Sequence, residues 1–183
     1  MKRKTTKELL TESFRELAEN KPIYKITVQE IVDNCGYSPA TFYRHFKDKY
    51  DLIAWEYAQG TARVLGAGQG QDYSWRQTLL NGARRYLSEK DYLVNLLQHT
   101  AGHDSFVQYM AEINFDQMQK HIQAISGRYA LTQQEALYLR IYCLGTTCLT
   151  CEWLLDKFSA TPEELAELYE NSLPAPLMGL LKI

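Results

Sequence analysis

The 183 residues are 45% hydrophobic and 23% charged, a globular balance with enough apolar side chain to bury a real core. No apolar run approaches the ~20 residues that span a bilayer. The basic start Met1-Lys2-Arg3-Lys4 lacks the apolar stretch of a secretion signal, so no membrane partner and a cytoplasmic location are expected. Net charge is −2, yet residues 1–50 hold ten Lys/Arg against seven Asp/Glu and the remainder ten against fifteen, which places the phosphate-neutralising charge in the first 50 residues.

Apolar residues at helical spacing (Leu9, Leu10, Phe14, Leu17, Ala18) predict a first helix from about Lys4 to Glu19, broken by Asn20-Lys21-Pro22. Thr27-Val28-Gln29-Glu30 is a capping box opening a short helix that stops at Cys35-Gly36. Ser38 then caps a third helix with Pro39 at its first position, and Phe42 and Phe46 share one face. Asp48 caps a fourth helix. A glycine-rich joint at 66–70 separates it from helices over about Trp75–Ser88, Tyr92–Ala101 and Asp104–Ser126, the last two ended by Gly102 and Gly127. A second capping box, Thr132-Gln133-Gln134-Glu135, starts a helix to about Phe158 that is apolar over a wide arc. Thr161-Pro162 starts a last one to about Asn171, and Leu177–Leu181 follows two prolines. The expectation is an all-α protein, with a three-helix helix-turn-helix head at 1–50 and a helical bundle for effector binding and dimerisation at 51–183.

Helices two and three, joined by a glycine turn, form the layout in which the second of the pair enters the major groove of double-stranded DNA. With Phe42 and Phe46 inward, Ser38, Pro39, Ala40, Thr41, Tyr43, Arg44 and His45 face outward, offering the hydroxyl, guanidinium and imidazole groups that reach phosphates and base edges. Lys49, at the start of the next helix, is placed to meet a phosphate.

The run from Thr27 through Gly36-Tyr37-Ser38 and Thr41-Phe42-Tyr43-Arg44-His45-Phe46-Lys47-Asp48-Lys49 to Leu52 closely resembles the DNA-binding head of TetR-family bacterial transcription regulators. The resemblance implies a homodimer joined through the last two long helices, a palindromic operator and a small-molecule effector held in the body, most often with repression as the outcome. Carried over by position, Thr27, Tyr43, His45 and Lys49 contact phosphates, while Tyr37 and Ser38 to Thr41 lie over bases and backbone. Arg44 is our own choice as a base reader. Tyr142 to Leu154, followed by Thr161-Pro162-Glu163-Glu164, is similar to the branch that includes regulators of dihydroxyacetone kinase operons. Some members of that branch activate with a protein partner, which makes an activator or adaptor the alternative.

Candidate effector contacts in the body are Tyr57, Tyr92, His99, His103, Tyr109, Phe115, Met118, His121 and Tyr142. His99 and His103 straddle Gly102, which separates two rings otherwise at metal-ligand spacing, so no metal site is expected. Cys35, Cys143, Cys148 and Cys151 read as buried small hydrophobes in a reducing compartment. Neither a cofactor motif nor a catalytic constellation is present in the sequence, and no enzymatic role is expected.

Overall fold

The computed structural model describes residues 4–67, 73–99 and 103–181, with side chains at 103–105 outside the description. Among them there are helices and no strand. They run α1 (Thr6–Ala18), α2 (Val28–Cys35), α3 (Pro39–His45), α4 (Lys49–Ala67), α5 (Trp75–Ser88), α6 (Lys90–His99), α7 (His103–Ser126), α8 (Gln133–Leu154), α9 (Pro162–Asn171) and α10 (Ala175–Met178). Helix α4 thus takes in Gly66 and Ala67 of the expected joint; residues 68–70 and Gly102 lie outside the described residues.

Local chemistry sets most of these boundaries. Thr5 and Glu8, Thr27 and Glu30, Thr132 and Glu135, and Thr161 and Glu164 all close reciprocal capping boxes, so four helices start where side chains satisfy their orphan amides. Helix α2 ends because Gly36 adopts φ 73°, which lets the Tyr37 amide reach back to the Val32 carbonyl at 2.9 Å. Helix α8 stops at Leu154 rather than near Phe158. Asp156 takes φ 56°, the Lys157 amide returns to Glu152 O at 3.0 Å, and the Trp153 indole donates to Ala160 O at 2.9 Å.

One hydrophobic core runs from the first three helices into the body. Leu10, Phe14, Ile31, Phe42 and Leu52 are fully buried, and the same cluster continues through Tyr57, Leu93, Leu96 and Met110 to Cys151, Trp153 and Leu165. A second core lies at the far end, around Trp75, Met118, Ile122, Leu139, Tyr142 and Leu177. Helix α4 packs on α5 and α7, α7 on α8, and α5 on α9. No helix is long and apolar enough to cross a membrane among the described residues.

Candidate functional site: the helix-turn-helix face and the body cavity

Helix α3 is held by its ends and its inner face. The Ser38 hydroxyl accepts the Thr41 amide at 3.3 Å, and Pro39 needs no partner at the first position. Phe42 is fully buried and Phe46 is 2% exposed, their rings 5.7 Å apart. The Lys7 ammonium lies 5.0 Å from the Phe46 ring and 5.3 Å from Trp55, which closes the apolar side. The other face is open: Ser38, Ala40, Tyr43 and Arg44 are exposed, and Tyr37, Pro39, Thr41 and His45 are half-buried. Tyr43, 59% exposed, leans edge-on against Phe42, and Arg44 donates to the Thr41 hydroxyl at 3.2 Å, lying back along its own helix.

Two expected phosphate contacts sit differently. Lys49 turns inward and donates to the carbonyls of Ile23, Tyr24 and Ile26 at 2.8, 3.1 and 2.8 Å, so its three N–H groups are taken. Burial also pulls its pKa below the ordinary lysine value. The Thr27 hydroxyl donates to the Glu30 carboxylate at 2.9 Å and accepts the Glu30 amide at 3.2 Å. Hydrogen bonds from Lys21, first, and from Thr27 hold Glu30 ionised, its pKa down at about 2. The donors of Thr27 and Lys49 are thus engaged within the head. The turn of 3-10 helix at Ile23–Lys25 brings these carbonyls round the Lys49 ammonium, and sequence periodicity does not announce it.

The head is joined to the body by polar side chains, of which Arg15, Glu56, Glu89 and Asn95 are absent from the expected set. Arg15 of α1 pairs with Glu56 of α4 at 3.0 Å and with Glu89 at 3.5 Å, and its guanidinium lies 4.4 Å from the Tyr92 ring centroid. Tyr92 donates to Glu56. Asn95 of α6 donates to the carbonyls of Ala18 and Lys21 at 2.8 and 3.0 Å and accepts the Ile23 amide at 3.3 Å. The His99 ring lies 5.7 Å from Tyr24. Tyr92 and His99, expected as effector contacts, are thus junction residues: α6 docks on the end of α1 and carries them away from the body interior.

A cavity of about 110 Å³ opens between α4, α5, α7, α8 and α9. Met118 and Tyr142 of the expected set line it. Tyr57 stands just behind the wall, its hydroxyl donating to Asn114 Oδ1 at 3.0 Å and lying 2.9 Å from the Tyr86 hydroxyl. Tyr109 is exposed, and Phe115 is half-buried with the Arg140 guanidinium 5.3 Å from its ring. His121 is buried outside the cavity against Tyr73, with Nδ1 lacking a partner, and burial lowers its pKa. The side chain of His103 lies outside the described residues.

The cavity's polar groups are mostly matched to each other. Asn114 also donates to Thr147 at 2.9 Å, Thr146 and Thr150 bond back to the preceding turn of α8 at 2.8 Å, and Tyr142 donates to Tyr169 O at 2.9 Å. Trp75 Nε1 is the exception, buried beside the Tyr142 hydroxyl without closing a hydrogen bond. The pocket residues missed in sequence, Trp75, Tyr86, Asn114 and Thr147, come from three different helices, and no linear spacing marks them.

Helix α8 turns Leu139, Cys143, Thr147 and Cys151 inward and leaves Leu137, Ile141, Leu144, Cys148 and Leu149 exposed, with Ile141 at 68%. Cys148 is therefore not a buried hydrophobe and Cys35 is only half-buried; helical spacing turns Cys148 roughly 140° from Cys143, onto the exposed stripe with Ile141 and Leu144. No cluster of three or more metal-ligating side chains occurs among the described residues.

Comparison with known proteins agrees with this architecture. Residues 10–54 match the family described as bacterial regulatory proteins, tetR family, and residues 75–174 match a transcriptional regulator C-terminal region. A curated relative, the HTH-type dhaKLM operon transcriptional activator DhaS of Lactococcus lactis subsp. lactis (strain IL1403), is 25% identical over 84 residues, 46% of this chain and 44% of that protein. The matched part therefore spans less than half of that relative. The solved dihydroxyacetone kinase operon activator DhaS superposes with TM-score 0.59 at 18% identity, covering 97% of this chain and 96% of the other. A TetR transcriptional regulator from Rhodococcus sp. RHA1 reaches TM-score 0.65 at 16% identity over 93% and 96% of the two chains. The TetR family repressor AlkX from Dietzia sp. strain DQ12-45-1b gives 0.53 at 14% over 100% and 98%. These structural likenesses show the fold. With its head and body both matched, the chain belongs to the TetR family of bacterial DNA-binding transcription regulators.

Proposed function

We propose that this regulator works as a homodimer that grips a palindromic operator through α3 of each copy, and that an effector in the body cavity sets its affinity, with repression as the unliganded state. The outer face of α3 carries the reading: Phe42 and Phe46 fix the helix angle while Ser38, Tyr43 and Arg44 stay open to a groove. Tyr37, Ser38 to Thr41, Tyr43, Arg44 and His45 are the proposed DNA contacts, with Thr27 and Lys49 positioning the helix. Dimerisation is supported by the apolar stripe of Leu137, Ile141, Leu144 and Leu149 on α8 and by exposed Leu168 on α9, since contiguous exposed apolar side chains mark contact surfaces.

An effector acts only through unequal affinity for the DNA-competent and incompetent arrangements. Arg85 lines the cavity and pairs with Glu89 at 3.1 Å, and Glu89 reaches Arg15 of α1, so cavity and head share one ionic chain. A reporter driven by the bound sequence tests the reading. Expression falls when the protein is supplied and returns with effector. Expression that rises instead supports the second reading, an activator working with a partner protein, which the match to the DhaS activator favours.

A further inference from the structure

We propose that the body cavity takes an uncharged, compact, mostly hydrocarbon molecule of about benzene's size, and that Gly82 keeps the room for it. For its effect on DNA binding the proposal rests on the effector reading above; for the chemistry of the ligand it stands on the wall itself.

Charge is the first discriminant. Among the described residues the one ionic side chain on the wall is Arg85, which pairs with Glu89 at 3.1 Å, a carboxylate that Arg15 also reaches at 3.5 Å. An anion entering here competes with Glu89 for the guanidinium, and a cation meets no carboxylate among the described wall residues. A buried charge without a partner is strongly disfavoured. Burial pushes the wall thiol of Cys143 up to about 12, so it too is neutral.

Hydrogen bonding points the same way. Tyr57 gives its one proton to Asn114, so Tyr86 gives its own to Tyr57, and Asn114 spends its amide on Thr147. Thr78, Thr146 and Thr150 bond carbonyls of their own helices. A polyol stripped of water here finds few donors in return. Among the described residues, Trp75 Nε1 is a buried wall donor without a partner, suited to a single acceptor oxygen.

Gly82 fixes the size. It lies inside α5, where glycine is less favourable than alanine, and a Cβ there would meet only Val64 Cγ1, at an ordinary 3.7 Å. Alanine would therefore fit its neighbours. What its absence preserves is cavity space, about 110 Å³, and an apolar cavity of about 150 Å³ is known to admit benzene.

Thermal unfolding of the full chain with benzene, benzoate and glycerol as probes tests this, with DNA binding by fluorescence anisotropy as a separate readout. Benzene is expected to raise the Tm saturably, and benzoate and glycerol at equal concentration to leave it unmoved. Gly82→Leu should abolish the benzene response, and Gly82→Ala, the variant safe for folding, should weaken it several-fold. Absence of any benzene response, an equal response to benzoate or glycerol, or an undiminished response in Gly82→Ala would overturn the proposal. A benzene response that Gly82→Ala weakens but that leaves DNA affinity unchanged supports the ligand chemistry and overturns the effector reading alone.

Discussion

The Arg15 guanidinium of the first helix lies 3.0 Å from the Glu56 carboxylate of the fourth, and Glu56 is 7% exposed. Burial, the largest influence, raises the Glu56 pKa above the ordinary carboxyl value, while Arg15 and the Tyr92 hydroxyl pull it down. The folded state thus holds that proton more tightly than the unfolded one. Glu56 costs no stability below the unfolded pKa, and stability falls as pH rises from there through the raised folded value. Glu56→Gln should remove this component, so the difference in urea midpoint between variant and wild type changes across that window and is flat above it. A constant difference at every pH contradicts the assignment.

Asn95 ties α6 to the end of α1 by three hydrogen bonds, to Ala18, Lys21 and Ile23. Asn95→Ala leaves those backbone groups short of partners and should cost about 1–3 kcal/mol. Amide exchange at Ile23 should speed up more than exchange at buried Ile122 in the far core. Equal acceleration at both sites would show a global rather than a junctional role.

The head separates two kinds of residue. Tyr43→Ala removes an exposed hydroxyl and should weaken binding to all DNA sequences by about 1.5–3 kcal/mol, with the salt slope unchanged because no cation is lost. Arg44→Ala should alter sequence preference by about 1–3 kcal/mol at one base pair. Lys49→Ala, which frees the carbonyls of Ile23, Tyr24 and Ile26, should lower thermal stability and leave the salt slope of the folded protein as it was. A slope reduced by about one in Lys49→Ala would return that ammonium to a phosphate.

Ile141, 68% exposed at the middle of the α8 stripe, is the most sensitive point of the proposed dimer face. Ile141→Glu should give a folded monomer by sedimentation with unchanged helical circular dichroism. An unaltered dimer would move the interface elsewhere.

What was legible in sequence was what depends on neighbours along the chain. The capping boxes at Thr27, Thr132 and Thr161, the left-handed Gly36 and the inward pair Phe42 and Phe46 all act within one or two turns. The head's outer face followed from them. The cap at Thr5 obeys the same local rule. The body's site was not legible, because Trp75, Tyr86, Asn114 and Thr147 meet only through tertiary packing. Aromatic and histidine content pointed to Tyr92 and His99, which helix α6 commits to the junction, while among the described side chains of that set Met118 and Tyr142 reach the cavity wall. Lys49 shows the limit most clearly: its place in the chain suited a phosphate, and the carbonyls that hold it lie 23 to 26 residues away.

The central claim is best tested by selecting bound sites from a random duplex pool and footprinting the winner. Two α3 helices related by a two-fold axis should select an inverted repeat with half-site centres about 34–36 Å apart, both halves protected at once and both lost together in Ile141→Glu. An asymmetric single site, or half-sites that Ile141→Glu still protects with undiminished affinity, would contradict it.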